Sequence, residues 1–314
     1  MKTRLVVMLV VCALVVAVAP FVGPPMPPHA QDFILWQLRI PRTLMALVVG
    51  GTLSLVGAVY QSLFSNPLAA PSTVGTTAGA TLGALVAIVL GARAALWGGL
   101  PLITAAAFAG ALGVSLLVAA IAAGRNVRMN DLVLAGIAFS MAAGAISTGV
   151  QFSADSAELL AAMRWTMGHL PQVGYQNVVM LLPIAAVSVV GLLSLTRALE
   201  VFIAGEEHAE SQGVHVRAVR MASIGLGALG VAGCVAWCGP IAFVELIVPH
   251  IVRRTLGVSR RVLLPCSVVV GASFLVLCDA VARLILPGKE PPVGMVTAAL
   301  GTPLLVYLVA RKSP

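Results

Sequence analysis

Apolar residues run along this chain in long blocks, and short clusters of Gly, Pro and charge separate one block from the next. Read against that punctuation, the pattern predicts ten helices near 5–22, 43–63, 72–91, 100–123, 131–152, 176–196, 219–238, 241–257, 264–286 and 293–310. Most of these blocks approach the ~20 residues that a helix needs to cross the hydrocarbon layer of a bilayer. Residues 157–170, AELLAAMRWTMGHL, are too short and too polar to span, and Pro171 stops them. They predict an amphipathic helix lying on the outer face between the fifth and sixth blocks. The segment PFVGPPMPPHA at 20–30 is too proline-rich for regular helix and reads as an outer loop. No long linker or tandem repeat divides the chain. The expected fold class is therefore all-α, a polytopic membrane protein of about ten transmembrane helices in a single domain, 1–314.

Composition strengthens that reading. The chain is 60% hydrophobic and 10% charged, with a mean hydropathy of +1.04, whereas soluble domains carry about 25% charged residues. A net charge of +8 would suggest a nucleic-acid partner on a soluble protein. Here the basic residues sit between apolar blocks, and the positive-inside rule accounts for them without nucleic acid. With a cytoplasmic N-terminus, the inner segments hold Lys2, Arg4, Arg125, Arg128, Arg197, Arg217, Arg220, Arg253, Arg254, Arg260, Arg261, Arg311 and Lys312. That is thirteen of nineteen, so both termini are expected in the cytoplasm. A cleaved signal peptide is the alternative for the first block, where Ala17-Val18-Ala19 resembles a cleavage site. Its apolar stretch is long for one, and its removal would invert the charge balance.

Catalytic and metal-binding patterns are sparse. The five cysteines lie within or at the ends of apolar helices, and only Cys234 and Cys238 share a helical face, with no His or carboxylate to complete a metal set. His208 and His215, beside Glu206, Glu207 and Glu210, read as solvated loop charges. HExxH and GxSxG are absent, which disfavours the commonest intramembrane proteases. A phosphate-cradling loop needs GxxxxGK followed by Ser or Thr, and Lys289 follows Gly288 but precedes Glu290. No catalytic residue, metal or cofactor is expected on this chain. If ATP drives it, ATP and Mg belong to a separate ATPase chain.

Three segments carry a family resemblance: RIPRTLMALVVGGTLSLVGAVYQSLFSNPLAAPSTVGTTAGATL at 39–82, GPIAFVELIVPHIVRR at 239–254 and PPVGMVTAALGTPLLVYL at 291–308. With them the chain resembles the permease subunits of ABC importers for iron chelates, haem and vitamin B12, the FecCD family. The resemblance implies a BtuC-like (type II) permease fold that moves a ferric siderophore, haem or cobalamin across a bacterial or archaeal cytoplasmic membrane by alternating access. It also implies two cytoplasmic ATPases, a second permease copy (a homodimer) and a periplasmic or lipid-anchored binding protein. An ion-coupled carrier and an intramembrane enzyme are the alternatives. A carrier should show paired intramembrane carboxylates, and only Glu245 and Asp279 qualify.

The resemblance assigns roles to particular residues. Arg39 and Arg42 share one helical face, and Arg283 sits near the outer end of the ninth block; in the family such positions dock the binding protein. From the residues alone, arginines at a helix end snorkel to headgroups, and Asp279, four residues before Arg283, pairs with it within the helix. Asn66-Pro67-Leu68 breaks the second block, and Ser72 or Thr73 is placed to cap the third. The family puts a gate at this break, which gives Asn66 and Leu68 that role, with Met129 and Asn130 as the facing gate. Gly75, Gly79 and Gly83 form a close-packing stripe. EVFIAGEEHAESQGVHVRAVR at 200–220 resembles the coupling loop that meets the ATPase through Ala204, Gly205, Glu206, Glu207, Ala209 and Gly213, with Gln212 where the family has leucine. Glu245 departs from the family's GFVGL pattern; a mid-membrane charge costs about 2.5–3.5 kcal/mol, which its place in the first turns of the eighth block reduces through the helix dipole. A local polar contact is the favoured reading, a polar residue of the substrate cavity is the alternative, and His250 is read as packing or capping.

Overall fold

The computed structural model describes residues 2–91, 101–122, 129–171, 173–202, 205–285 and 291–310; the side chains of 2, 129, 130, 206, 207 and 308–310 lie outside the description. Its helices are α1 Lys2–Val18, α2 Ile40–Leu63, α3 Thr76–Val89, α4 Leu102–Ala122, α5 Met129–Phe152, α6 Ser156–Thr166 and α7 Gln176–Ser194. They continue with α8 Thr196–Val201, α9 Glu206–Ser211, α10 Val216–Cys238, α11 Val244–Leu256, α12 Arg260–Ile285 and α13 Val293–Ala310. Each of the ten apolar blocks is a helix. Among the described residues seven helical stretches are long and apolar enough to cross a membrane, including Thr3–Phe21, Pro28–Leu63 and Arg260–Ile285, and α3 and most of α13 are shorter apolar helices.

The second block departs most from expectation. Helix runs unbroken from Pro28 to Leu63, with a π-helical stretch at Ile34–Arg39 leading into α2. Pro28 opens it, where a missing N–H costs nothing. Arg39 and Arg42 consequently lie inside a long helix rather than at its mouth.

This helix is the axis of the molecule. Of its spanning window 83% is buried, against 11% for Thr3–Phe21, which rides on the outside. Small residues permit the burial. A Cβ on Gly50 would stand 2.3 Å from the Gly271 carbonyl oxygen, so α2 and α12 pack backbone against backbone. The predicted glycine stripe does the same one layer out: Gly79 and Gly83 meet Gly110 and Ala106 of α4.

The two short inner helices follow breaks. α3 starts at Gly75, whose φ of 87° suits glycine, and α11 starts at Phe243, held at φ 72°. A left-handed conformation costs a bulky residue energy and marks a constrained turn. α6 lies where the amphipathic segment was expected. Asp155 accepts from the N–H groups of Ala157 (2.9 Å) and Glu158 (2.8 Å), and Glu158 accepts from the Asp155 N–H (3.0 Å), a reciprocal capping box. Beyond its end, the His169 N–H donates to the Cys238 carbonyl at 2.7 Å and ties this helix to the end of α10.

Candidate transport path and its two faces

At one end of the bundle three arginines gather, two of them on one carboxylate. Arg42 Nε donates to Asp279 Oδ1 at 2.6 Å, and Arg283 Nη2 lies 3.2 Å from Asp279 Oδ2. Arg283 also donates to the Ala19 carbonyl at 3.0 Å, while Arg39 donates to the carbonyls of Pro24 (2.6 Å) and Pro20 (3.3 Å). All four side chains are buried. Buried charges persist only when paired and hydrogen-bonded. Asp279 divides its two oxygens between Arg42 of α2 and Arg283 of α12, and the carbonyls of Ala19, Pro20 and Pro24 accept further guanidinium N–H groups. The three arginines line a cavity of ≈ 400 Å³ with Pro24, Met26 and Leu38. The expected Asp279–Arg283 pair is present, and Arg42 joins it.

A larger recess of ≈ 1030 Å³ adjoins this cluster, bounded by Arg42, Arg164, Trp165, His169, Asn177 and Pro291. Burial, then the Arg42 guanidinium, push the His169 pKa below its ordinary value.

The helix break forms the second part of the site. Asn66 Oδ1 accepts from the Leu68 N–H at 2.9 Å, so the asparagine closes the turn it begins, and Leu68 is left 51% exposed. Neither hydroxyl caps α3 as expected. Thr73 Oγ1 turns back to bond the Ala70 carbonyl (2.7 Å) and N–H (3.1 Å), and Gly75 holds the N-cap position with no side-chain bond.

Ser72 instead reaches Glu245, donating to its Oε1 at 2.6 Å. Glu245 is 5% exposed in the first turn of α11. Its main chain presses on Gly57 so closely that a Cβ there would stand 1.9 Å from the Glu245 carbonyl oxygen. Gln61 Nε2 lies 3.4 Å from the carbonyls of Glu245 and Leu246, and Arg253 Nη2 donates to Gln61 Oε1 at 3.0 Å. A polar chain thus runs from α11 through α2 and back. Ser72, Thr77, Ile241, Phe243 and Glu245 line a cavity of ≈ 250 Å³. The start of α5 is brought to this loop, since Gly136 packs on Thr73 and Val74. The side chains of Met129 and Asn130 lie outside the described residues.

The third part is the segment between α7 and α10. It holds the two expected short helices, α8 and α9, separated at Gly205 (φ 104°) and closed at Gly213 (φ 78°). Ala209 is fully buried and Gln212 is exposed. Glu206 and Glu207 fall in the first turn of α9, where acidic residues suit the helix dipole; their side chains, and Ala204 altogether, lie outside the described residues. Sequence reasoning missed Glu200, whose Oε2 accepts from the N–H groups of Arg260 (2.5 Å) and Arg261 (3.2 Å). It satisfies donors that the first turn of α12 leaves open and joins that helix to the segment leading into α9. No spacing rule links residues 60 apart. Among the described residues no group of three His, Cys, Asp or Glu gathers as a metal site would require.

Comparison with known proteins agrees with this arrangement. Residues 5–311 match the FecCD transport family. The chain is 38% identical to the cobalamin import system permease protein BtuC of Halobacterium salinarum, over 91% of this chain and 75% of that one. It is 36% identical to the vitamin B12 import system permease protein BtuC of Vibrio cholerae, over 90% and 84%. A solved metal-chelate-type ABC transporter in an inward-facing conformation superposes with a TM-score of 0.86 at 29% identity, covering 97% of this chain and 99% of that one. PsaBC from Streptococcus pneumoniae, in complex with Fab, shares the fold at a TM-score of 0.55 and 16% identity, covering 85% and 89%.

Proposed function

The chain belongs to the FecCD transport family, and from that premise we propose that it carries a cobalamin-like corrinoid across the cytoplasmic membrane. It is a multi-span permease subunit of an ABC importer, and ATP hydrolysis belongs to a separate subunit. The observation that carries the cargo assignment is the similarity to two cobalamin permeases along nine-tenths of the chain. The superposition on a metal-chelate-type transporter favours a ferric chelate as the second reading.

In this reading two copies pair with the path between them, two ATPases binding ATP and Mg dock at 200–220, and an external binding protein delivers cargo at the arginine cluster. The charge asymmetry supports both termini being cytoplasmic. Arg39, Arg42 and Arg283 receive acidic side chains of the binding protein. The cavity they line supports this, because all three arginines face it, with Asp279 pairing Arg42 and Arg283. Asn66 and Leu68 narrow the exit, Met129 and Asn130 face them, and Glu245 holds the break in place from the cavity side. Ala204, Gly205, Glu206, Glu207, Ala209 and Gly213 form the coupling surface.

Uptake of labelled cobalamin and of ferric siderophores into ATP-loaded proteoliposomes, with the cognate ATPase and binding protein, tests the cargo. Saturable uptake of cobalamin that siderophores do not inhibit is the expected result. Uptake of a ferric chelate with no cobalamin transport selects the second reading.

A further inference from the structure

The beginning of α1 and the end of α11 enclose a groove of ≈ 450 Å³ that the transport path does not use. Val7 and Met8 form one wall, and Ile251 with Val270 forms the other. Arg4 and Arg254 stand at its rim, both exposed. Neither makes a hydrogen bond or ion pair with another described residue. The neighbouring Arg253 differs, since it is spent on Gln61.

The order of these groups along the helices matters. Met8 lies four residues along α1 from Arg4, and Ile251 three residues before Arg254 in α11, so each guanidinium sits one turn from an apolar side chain on its own helical face. Two cations without a carboxylate call for an anion, and an apolar channel directly beneath calls for hydrocarbon. Paired basic side chains between membrane helices, at headgroup depth, are the usual form of an anionic-lipid site. A free phosphate would leave the channel uncovered, and a zwitterionic lipid would bring a second cation to two others. The scant burial of α1 leaves this channel open to lipid along its length.

We infer that this groove binds one anionic phospholipid, its phosphodiester between Arg4 and Arg254 and its acyl chains along Val7, Met8, Ile251 and Val270. The lipid fastens α1 to α11, the helix that carries Glu245 and Arg253.

Native mass spectrometry of the full permease–ATPase complex, stripped of lipid and supplied with phosphatidylglycerol or phosphatidylcholine of the same chains, tests the site. Selective retention of phosphatidylglycerol is expected. Arg4→Gln and Arg254→Gln should each weaken retention about fivefold, as one charge meeting an anionic surface does, and the double variant more. Arg261→Gln removes an equal charge from the same end of the bundle outside the groove, and retention should be unchanged. If the charge variants fold poorly, Val7→Trp fills the channel with both arginines in place and should expel the lipid. Equal retention of the two lipids, loss in Arg261→Gln matching that in Arg4→Gln, or displacement by excess inorganic phosphate would overturn the inference.

Discussion

Arg42 and Asp279, 237 residues apart in the chain, form a buried 2.6 Å ion pair that holds the start of α2 against α12. The same carboxylate engages Arg283 through its other oxygen. One aspartate therefore fixes the spacing of two of the three arginines that line this cavity, and under the docking proposal a partner's carboxylate would compete with Asp279 for them.

Removing that carboxylate leaves two buried guanidiniums without their anion. Asp279→Ala should destabilise the permease by about 3–5 kcal/mol, the usual cost of breaking one side of a buried pair. Thermal unfolding in detergent measures it. Asp279→Asn keeps an acceptor and should lose less. Unchanged melting in both variants would mean that the cluster is solvated.

His169 gives the recess beside Arg42 a pH dependence. Its folded-state pKa is depressed by burial and by Arg42, so the unfolded chain takes up its proton first as pH falls. Its contribution to stability is complete above about pH 6.5 and is lost as pH drops through 6.5 toward the depressed value. His169→Gln should flatten that part of the melting-temperature profile between about pH 7.5 and 5. A wild-type profile that rises on acidification across this range would reverse the assignment.

The Ser72–Glu245 bond fastens the helix break to α11. A double-mutant cycle with Ser72→Ala and Glu245→Ala should return a coupling of about 0.5–3 kcal/mol, the range that spans neutral and charge-assisted hydrogen bonds. Glu245→Gln retains an acceptor for the serine hydroxyl and should transport better than Glu245→Ala. If Gln and Ala variants are equally impaired in uptake, the charge of Glu245 matters and its bond to Ser72 does not.

Much of this architecture is legible in the chain because membrane helices announce themselves locally. Each apolar block is a helix, and Gly79 and Gly83 pack as their spacing indicates. The extension of the second helix back to Pro28 was hidden by the prolines before it, which read as loop although one of them opens the helix. The hydroxyls after the break carried an ambiguous signal. Ser72 and Thr73 suit an N-cap by type, yet Thr73 bonds within its own turn and Ser72 crosses to a helix far along the chain. Pairing of Asp279 with Arg283 follows helical spacing, whereas Arg42 with Asp279 and Glu200 with Arg260 arise only from tertiary packing.

The most direct test of the account is ATP-coupled uptake in proteoliposomes carrying the permease, its ATPase and its binding protein. Cargo should accumulate only when ATPase and ATP are both present, whatever the proton or sodium gradient. Gly205, at φ 104° between α8 and α9, cannot become proline without changing that turn, since proline fixes φ near −65°. Gly205→Pro should therefore hydrolyse ATP at or near the basal rate while accumulating almost no cargo. Uptake driven by an ion gradient with the ATPase omitted, or undiminished uptake by Gly205→Pro, would contradict an importer powered through residues 200–220.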